Sequence, residues 1–131
     1  MITGTNGKST TVRLLESILS EAGLTPGASS TDGIRVNKKT IEADDYSGPE
    51  GARATLRNEN ISSAVLEIAR GGILRRGMPV EDVQAAIVTN VAEDHFGEWG
   101  VNSLPEMVET KFVVRKALKN DGLLILNADD Q

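Results

Sequence analysis

Apolar residues recur at helical spacing directly after a glycine-rich segment near the start of the sequence. Within residues 10–22 the stripe comprises Val12, Leu15, Ile18, Leu19 and Ala22, and Gly23 ends the pattern as a C-terminal cap would. The spacing predicts an amphipathic helix that buries this stripe.

Three short apolar runs, rich in aliphatic and β-branched residues, have the composition of buried strands. They cover residues 63–69, residues 85–90 and Leu123 to Leu126. Runs of this length bounded by Gly, Asp or Asn favour strands of a parallel sheet that are buried on both faces.

Two further elements complete the pattern. Leu104 to Leu118 carries a second apolar helical stripe, with Ser103 as N-cap and Pro105 in the first turn. Ile34 to Glu42 predicts a small hairpin, followed by an acidic loop. Because helices alternate with buried strands, the expected fold class is α/β, with a mostly parallel sheet flanked by helices.

The amino-acid composition argues against several classes of function. With 14 Lys and Arg against 19 Asp and Glu, the net charge is −5, which argues against a protein that coats nucleic acid. Cysteine is absent, so disulfides, thiolate zinc sites and a cysteine nucleophile are excluded. No apolar run is long enough for a membrane span and no signal-peptide pattern opens the sequence. We therefore expect a soluble cytoplasmic domain without a membrane or nucleic-acid partner; a homo-oligomer is compatible with this composition.

The most informative local signal is the run Gly4-Thr5-Asn6-Gly7-Lys8-Ser9-Thr10 directly before the first helix. Such a loop cradles a polyphosphate with its backbone N–H groups, while the lysine reaches the terminal phosphates and the hydroxyl holds Mg²⁺. The place of the first glycine of the common phosphate-loop pattern is taken by Ile2. The alternative is a glycine-rich turn with an incidental lysine. Only Met1-Ile2-Thr3 precede the loop, where a full central strand is usual, so we expect residues 1–131 to be part of a truncated domain.

Three further residues are candidates for contact with a metal, a phosphate or another side chain. Glu67 is a carboxylate inside an apolar run, which favours a metal or a salt bridge with Arg70 or another arginine. His95, the single histidine, follows the strand at 85–90 and could bind metal or phosphate, or be an ordinary surface or core residue. Lys111 lies on an apolar helical stripe; it could extend outward to solvent, or be desolvated and take up CO₂ as a carbamate.

Together these motifs resemble the ATP-binding central domain of the Mur ligases and folylpolyglutamate synthetases. The resemblance rests on GTNGKST at 4–10, Leu-Glu at 66–67, NVAEDH at 90–95, the helix with Lys111, and LNADD at 126–130, in this order. The segments TDG at 31–33, SGP at 47–49 and LEIARGGILRRG at 66–77 are most similar to the Mur-ligase-like part of the cyanophycin synthetases. The similarity covers nearly the whole chain.

The resemblance implies roles for individual residues. Gly7, Lys8 and Ser9 would hold the ATP phosphates and Mg²⁺, and Glu67 and His95 would bind metal ions. Lys111 would be the residue carbamylated in many relatives and, once carbamylated, a further metal ligand. Asn127 would lie near the adenine, and Asn90 and Asp94 would order the loop that carries His95. Amino-acid or polymer contacts are expected from Thr31, Asp32, Arg53, Arg70 and Arg75, although Arg75 and Arg76 could equally be a solvated helix end.

The implied activity is that of an ATP-dependent ligase that converts a carboxylate to an acyl phosphate for attack by an amine. In the cyanophycin-like version, arginine would be added to an aspartate side chain of a growing polymer. Lys8, Lys111 and His95 would be the catalytic side chains, and ATP and Mg²⁺ the cofactors. Two alternatives stay open: a P-loop ATPase or kinase of another class, and a nucleotide-binding fragment without ligase activity of its own.

Overall fold

The fold is described from a computed structural model, which describes residues 1–93, 97 and 100–130. Seven strands run in chain order: β1 Ile2–Thr3, β2 Pro26–Ser30, β3 Gly33–Val36, β4 Lys39–Glu42, β5 Ser63–Leu66, β6 Val83–Val88 and β7 Leu118–Leu126. The helices are α1 Lys8–Glu21, α2 Pro49–Leu56, α3 Arg70–Arg76 and α4 Leu104–Phe112, the last followed by a 3-10 helix over Val113–Ala117.

The strands form a mostly parallel layer in the order β4-β3-β2-β5-β1-β6-β7. β6 pairs in parallel with both β1 and β7, and β2 pairs in parallel with β5. A parallel bridge between Ile2 and Glu67 joins β1 to β5. The hairpin predicted over Ile34 to Glu42 is the antiparallel pair β3–β4, so both the α/β class and the hairpin are confirmed.

Both faces of the central strands are buried. Ile2, Val12, Ala28 and Val65 form one apolar cluster beneath α1, and a second cluster includes Leu66, Ile68, Ala86 and Val88. Because Val65 and Leu66 are neighbours in β5, their side chains point to opposite faces of the sheet. This double burial is what the apolar runs at 63–69 and 85–90 predicted.

The helix predictions hold in outline with local differences. Val12 is buried and Leu15 and Leu19 are half-buried, but Ile18 is 61% exposed while Glu16, outside the predicted stripe, is 1% exposed. Glu16 is buried because its Oε1 accepts the Lys38 backbone N–H at 2.7 Å and its Oε2 lies 3.1 Å from Arg35 Nε. The latter contact is an ion pair that does not meet the geometry of a hydrogen bond.

The prediction for the last strand is wrong in one respect. β7 exists and pairs with β6, but Leu123, Ile125 and Leu126 are 64%, 45% and 49% exposed. β7 lies at the edge of the sheet, and within the described chain its main neighbours are β6 and the 3-10 helix. An apolar run predicts a strand, but it does not predict how much of that strand is covered.

Candidate nucleotide site

The loop between β1 and α1 has the geometry of a phosphate loop. Gly7 caps α1 in the left-handed conformation, with φ of 79°, so a residue without Cβ avoids strain there. Gly4 has a φ of 145°, and a Cβ at this position would collide with the Thr89 hydroxyl. Ile2, at the place of the first glycine of the common pattern, is fully buried in β1, so a side chain is accommodated at that position.

Polar groups that follow β6 hold this loop in place. The Asn6 N–H donates to Asn90 Oδ1 at 2.9 Å, and Asn90 Nδ2 donates back to the Asn6 carbonyl at 3.2 Å. The Thr89 hydroxyl also donates to the Asn6 carbonyl at 2.6 Å, and the Ala92 N–H donates to Thr5 Oγ1 at 3.0 Å. Asn90, expected to order the loop that carries His95, therefore contacts the phosphate loop itself. His95 and Asp94 lie outside the described residues.

Lys8 and Ser9 occupy the first turn of α1 and point in different directions. Lys8 Nζ donates to the Thr5 carbonyl at 3.0 Å, so the lysine lies back across the loop. Ser9 Oγ donates to Glu67 Oε2 at 2.8 Å and lies 3.0 Å from Thr31 Oγ1. The predicted residues Ser9, Glu67 and Thr31 are thus brought together at the carboxyl edge of the sheet.

Glu67 is the most heavily buried acidic side chain of this site, with no exposed surface. Its Oε2 accepts the Ser9 hydroxyl, whereas its Oε1 is buried and has no hydrogen-bond partner in the described part of the chain. Leaving a buried carboxylate oxygen without a partner is costly, and a hard divalent cation with oxygen ligands would satisfy it. Glu67 and Ser9 together therefore fit Mg²⁺, although no cluster of three acidic or histidine side chains occurs among the described residues.

Lys111 lies close to the phosphate loop and is only 3% exposed, so its amine does not extend into solvent. It borders a cavity of about 170 Å³, lined by Gly4, Thr5, Lys8, Ala69, Arg70, Gly71, Met107 and Lys111. Ser103 caps its helix by accepting the Glu106 N–H at 3.4 Å, as predicted. Lys8, Lys111 and Arg70 therefore meet around one small cavity.

The remaining candidate residues are spread more widely. Asp32 pairs with Arg13 at 2.7 Å on the surface, and Arg53 is exposed in the last turn of α2. Asn127 borders an apolar cavity of about 220 Å³ beside β6, and the neighbouring Asp130 accepts the Val91 N–H at 2.7 Å. Asn127 therefore lies near the segment after β6 that holds the phosphate loop. Arg53 lines none of the cavities described at this edge of the sheet.

A larger cavity adjoins this site. Its lining includes Arg75, which the resemblance named as a candidate substrate contact, but the cavity itself was not predicted. It measures about 330 Å³ and lies between α2, α3 and the loop before α2, with Asp45, Ser47, Arg75 and Arg76 among its lining. Arg76 pairs with Glu50, and Asp45 accepts the Ser47 hydroxyl at 2.6 Å. Tyr46 donates to Glu42 at 2.6 Å, and this hydrogen bond raises the pKa of Tyr46 above its ordinary value. The SGP segment at 47–49 was a signal that could have located this cavity.

The sequence profile of the Mur ligase middle domain matches residues 2–131. The chain belongs to this family. Its curated relatives include the cyanophycin synthetase of Geminocystis herdmanii, 44% identical over 129 residues, and that of Synechocystis sp., 43% identical over 129 residues. Each comparison covers 98% of this chain but only 15% of the relative. The UDP-N-acetylmuramoyl-L-alanyl-D-glutamate–2,6-diaminopimelate ligase of Geobacter sulfurreducens is 33% identical over 99 residues, 72% of this chain and 19% of the relative.

Solved structures share the fold. A UDP-N-acetylmuramoyl-L-alanyl-D-glutamate–2,6-diaminopimelate ligase superimposes with a TM-score of 0.77 at 23% identity, covering 98% of this chain and 26% of that one. A bifunctional folylpolyglutamate synthase/dihydrofolate synthase with Mn, AMPPNP and L-glutamate bound gives 0.69 at 20% identity, covering 98% and 42%. The chain is therefore a Mur-ligase-type α/β domain from a family of ATP-dependent amide ligases. Among the described residues, no helix is long and apolar enough to cross a membrane.

Proposed function

We propose that this chain is the nucleotide-binding part of an ATP-dependent acid–amino-acid ligase of the cyanophycin synthetase type. The observation that carries the proposal is the fully buried Glu67 carboxylate, with one oxygen on the phosphate-loop Ser9 and the other without a hydrogen-bond partner among the described residues. A buried acid beside a phosphate loop is suited to share a divalent cation with a nucleotide. Membership of the Mur ligase middle domain family supports the same proposal.

The phosphate loop would bind the nucleotide through its backbone and through Lys8. Gly4, Thr5, Asn6, Gly7 and Thr10 supply the loop, whose N–H groups and helix terminus attract phosphate oxygens. Lys8, which donates to the Thr5 carbonyl in the structure, would turn to the terminal phosphates. Since charge builds on the transferred phosphoryl group and its attacker, fixed positive groups there lower the barrier. Asn127, beside an apolar cavity, would lie near the adenine.

Ser9 and Glu67 would hold Mg²⁺, with His95 as a further proposed ligand. The bound cation would supply charge neutralisation for phosphoryl transfer. The proposal for His95 rests on family resemblance. The hydrogen bond between Ser9 and Glu67 at 2.8 Å supports a shared site for the other two.

On the substrate side, a carboxylate would attack the γ-phosphate to form an acyl phosphate and ADP. An incoming amine would then displace phosphate and leave an amide. We propose arginine as the amine and an aspartate side chain of a polymer as the carboxylate, as the similarity to cyanophycin synthetases suggests. Thr31, Asp32, Arg53 and Arg70 are the proposed substrate contacts, and of these Arg70 borders the cavity beside Lys8.

Nucleotide binding by the 131-residue chain tests this proposal directly. Titration calorimetry of the chain with Mg-ATP should show weak binding. A separate assay for amide formation by the same chain should show none. Lys8→Ala should weaken that binding by about 10- to 100-fold, because it removes charge-assisted hydrogen bonds to phosphate. The exposed Lys39→Ala is the matched control and should bind as the parent does.

Two outcomes would contradict the proposal. Equal ATP affinity in the Lys8→Ala and Lys39→Ala variants would remove the phosphate-loop assignment. Phosphate release that requires only water, measured in a longer ligase that contains this chain, would favour a P-loop ATPase of another class.

Lys111 is proposed to act as a carbamate. Its neutral amine would attack CO₂, a bond would form between Nζ and carbon, and one proton would leave to water. The buried position of Lys111 beside the phosphate loop supports this proposal. In a longer ligase that contains this chain, Lys111→Ala should lower turnover about 10-fold or more, and added short carboxylates should restore part of it. An unchanged rate would leave Lys111 with a structural role only.

A further inference from the structure

The Asn6 carbonyl of the phosphate loop is held by two side chains that directly follow β6. The Thr89 hydroxyl donates to this oxygen at 2.6 Å, and Asn90 Nδ2 donates to it at 3.2 Å. The Thr3 carbonyl, 3.3 Å from the same hydroxyl, is the more distant acceptor. A Cβ at Gly4 would collide with the Thr89 hydroxyl, so a larger residue there would push it away from Asn6. The direction of the Asn6 carbonyl is therefore fixed from one side.

Asn90 also takes up two N–H groups of the loop. Its carbonyl accepts the Thr5 N–H at 2.9 Å, and its Oδ1 accepts the Asn6 N–H at 2.9 Å. Both donors are thus committed to the segment after β6. The next N–H along the loop that could serve an anion is that of Gly7.

Fixing the Asn6 carbonyl also fixes the direction of the Gly7 N–H. In a planar trans peptide, the C=O of one residue and the N–H of the next point in opposite directions. The Gly7 N–H therefore points away from the segment after β6. Gly7 is left-handed, with φ of 79°, and Lys8 begins the right-handed helix α1. Such a pair turns successive N–H groups towards one concave side, here those of Gly7, Lys8 and Ser9, which have no acceptor within the helix.

The same peptide could turn over if it were not held. This rotation changes the ψ of Asn6 and the φ of Gly7 together, and glycine tolerates either sign of φ. In the turned-over state, the Asn6 carbonyl would present its partial negative charge to a bound phosphate, and the Gly7 N–H would point away from it. The loop sequence therefore permits both orientations, and the groups that follow β6 favour one.

We propose that Thr89 and Asn90 are positioning residues that hold the Asn6–Gly7 peptide in the orientation that binds phosphate. Neither side chain needs to touch the nucleotide, because both act through this one peptide. Their role rests on the nucleotide-binding function proposed above. The affinity of the loop for any polyphosphate, with or without a nucleoside, then depends on these two side chains.

The orientation of the peptide can be measured without a ligand. In weakly aligned chains labelled with ¹⁵N, the residual dipolar coupling of the Gly7 N–H reports the direction of this bond relative to the domain. The parent coupling should agree with the structure, and that of a double variant, Thr89→Val with Asn90→Ala, should depart from it. Thr89→Ser keeps the hydroxyl and should keep the parent coupling.

Inorganic pyrophosphate with Mg²⁺ tests the consequence for binding, because it carries phosphate groups without an adenine. Its affinity, followed by the shift of the Gly7 amide resonance, should fall about 10-fold in the double variant, since one charge-assisted hydrogen bond is lost. It should stay at the parent value in Thr89→Ser. Thr110→Val is the matched control, because the Thr110 hydroxyl also donates to a backbone carbonyl, that of Glu106, at 2.8 Å but within α4. This control should bind as the parent does.

The two measurements can fail separately. A parent-like Gly7 coupling in the double variant would overturn the positioning role, whatever the nucleotide affinity. A changed coupling with unchanged pyrophosphate affinity would overturn it too, as would an equal loss of affinity in Thr110→Val. Equal ATP affinity in the parent and Lys8→Ala would instead count against the proposed function, and the coupling would still decide how the Asn6–Gly7 peptide is held.

Discussion

The two ends of the central strands β5, β1 and β6 are organised in opposite ways. At the carboxyl end, hydrogen bonds from Thr89, Asn90 and Ala92 fix the phosphate loop. At the amino end, the same strands border an apolar cavity of about 420 Å³. Polar side chains at fixed places in the sequence specify the first end, whereas the second is lined mainly by aliphatic side chains from several elements.

Helix α1 connects the two ends. Its first turn carries Lys8 and Ser9, and its later turns carry Leu15 and Leu19 against the apolar cavity. Glu16, which directly follows Leu15, ties the helix to the β3–β4 hairpin through Arg35 and the Lys38 N–H. Changes in Glu16 should therefore affect the whole domain, whereas changes at either end should act locally.

The largest expected effect on stability comes from Glu16→Ala. Removing this carboxylate leaves the half-buried Arg35 and the Lys38 N–H without their partner, which should cost about 2 to 4 kcal/mol of unfolding free energy. Glu21→Ala is the control, because Glu21 pairs with Lys38 Nζ at 3.0 Å while its side chain is 81% exposed. Urea unfolding measures both. Equal losses would mean that α1 is held by its apolar face alone.

Glu67→Gln should have opposite consequences for the affinity for Mg-ATP and for the free energy of unfolding. The neutral amide removes a buried charge, so the unfolding free energy should stay the same or rise. The affinity for Mg-ATP should fall about 10- to 100-fold, since a carboxylate ligand is lost. The exposed Glu59→Gln should change neither quantity. Unaltered magnesium dependence of nucleotide binding in Glu67→Gln would show that Glu67 is a structural acid.

Much of the fold could be predicted from the sequence where its signals are local. The loop at 4–10, the hairpin at 34–42 and the cap at Ser103 each depend on neighbouring residues. β2 was not predicted, because Pro26–Ser30 consists of small and polar residues and is buried by its neighbours rather than by its own hydrophobicity. The burial of Glu16 depends on Arg35, a partner in another element, and the exposure of β7 depends on its edge position. Neither is encoded in periodicity.

The smallest predicted effect concerns the pH dependence at the amino end. The Met1 amine has a pKa of about 6 in the folded chain against 8.0 as its ordinary value, so the unfolded chain binds more protons between these limits. Stability should therefore fall by about 1 to 3 kcal/mol as the pH drops from 8 to 6. A chain acetylated at the Met1 nitrogen has no titratable amine there and should lack this loss. Contributions common to both chains cancel in the difference between their urea unfolding curves. If the two chains lose stability in parallel across this range, the Met1 amine is not desolvated beside the cavity, and the amino end differs from the carboxyl end in its apolar lining but not in its tolerance of charge.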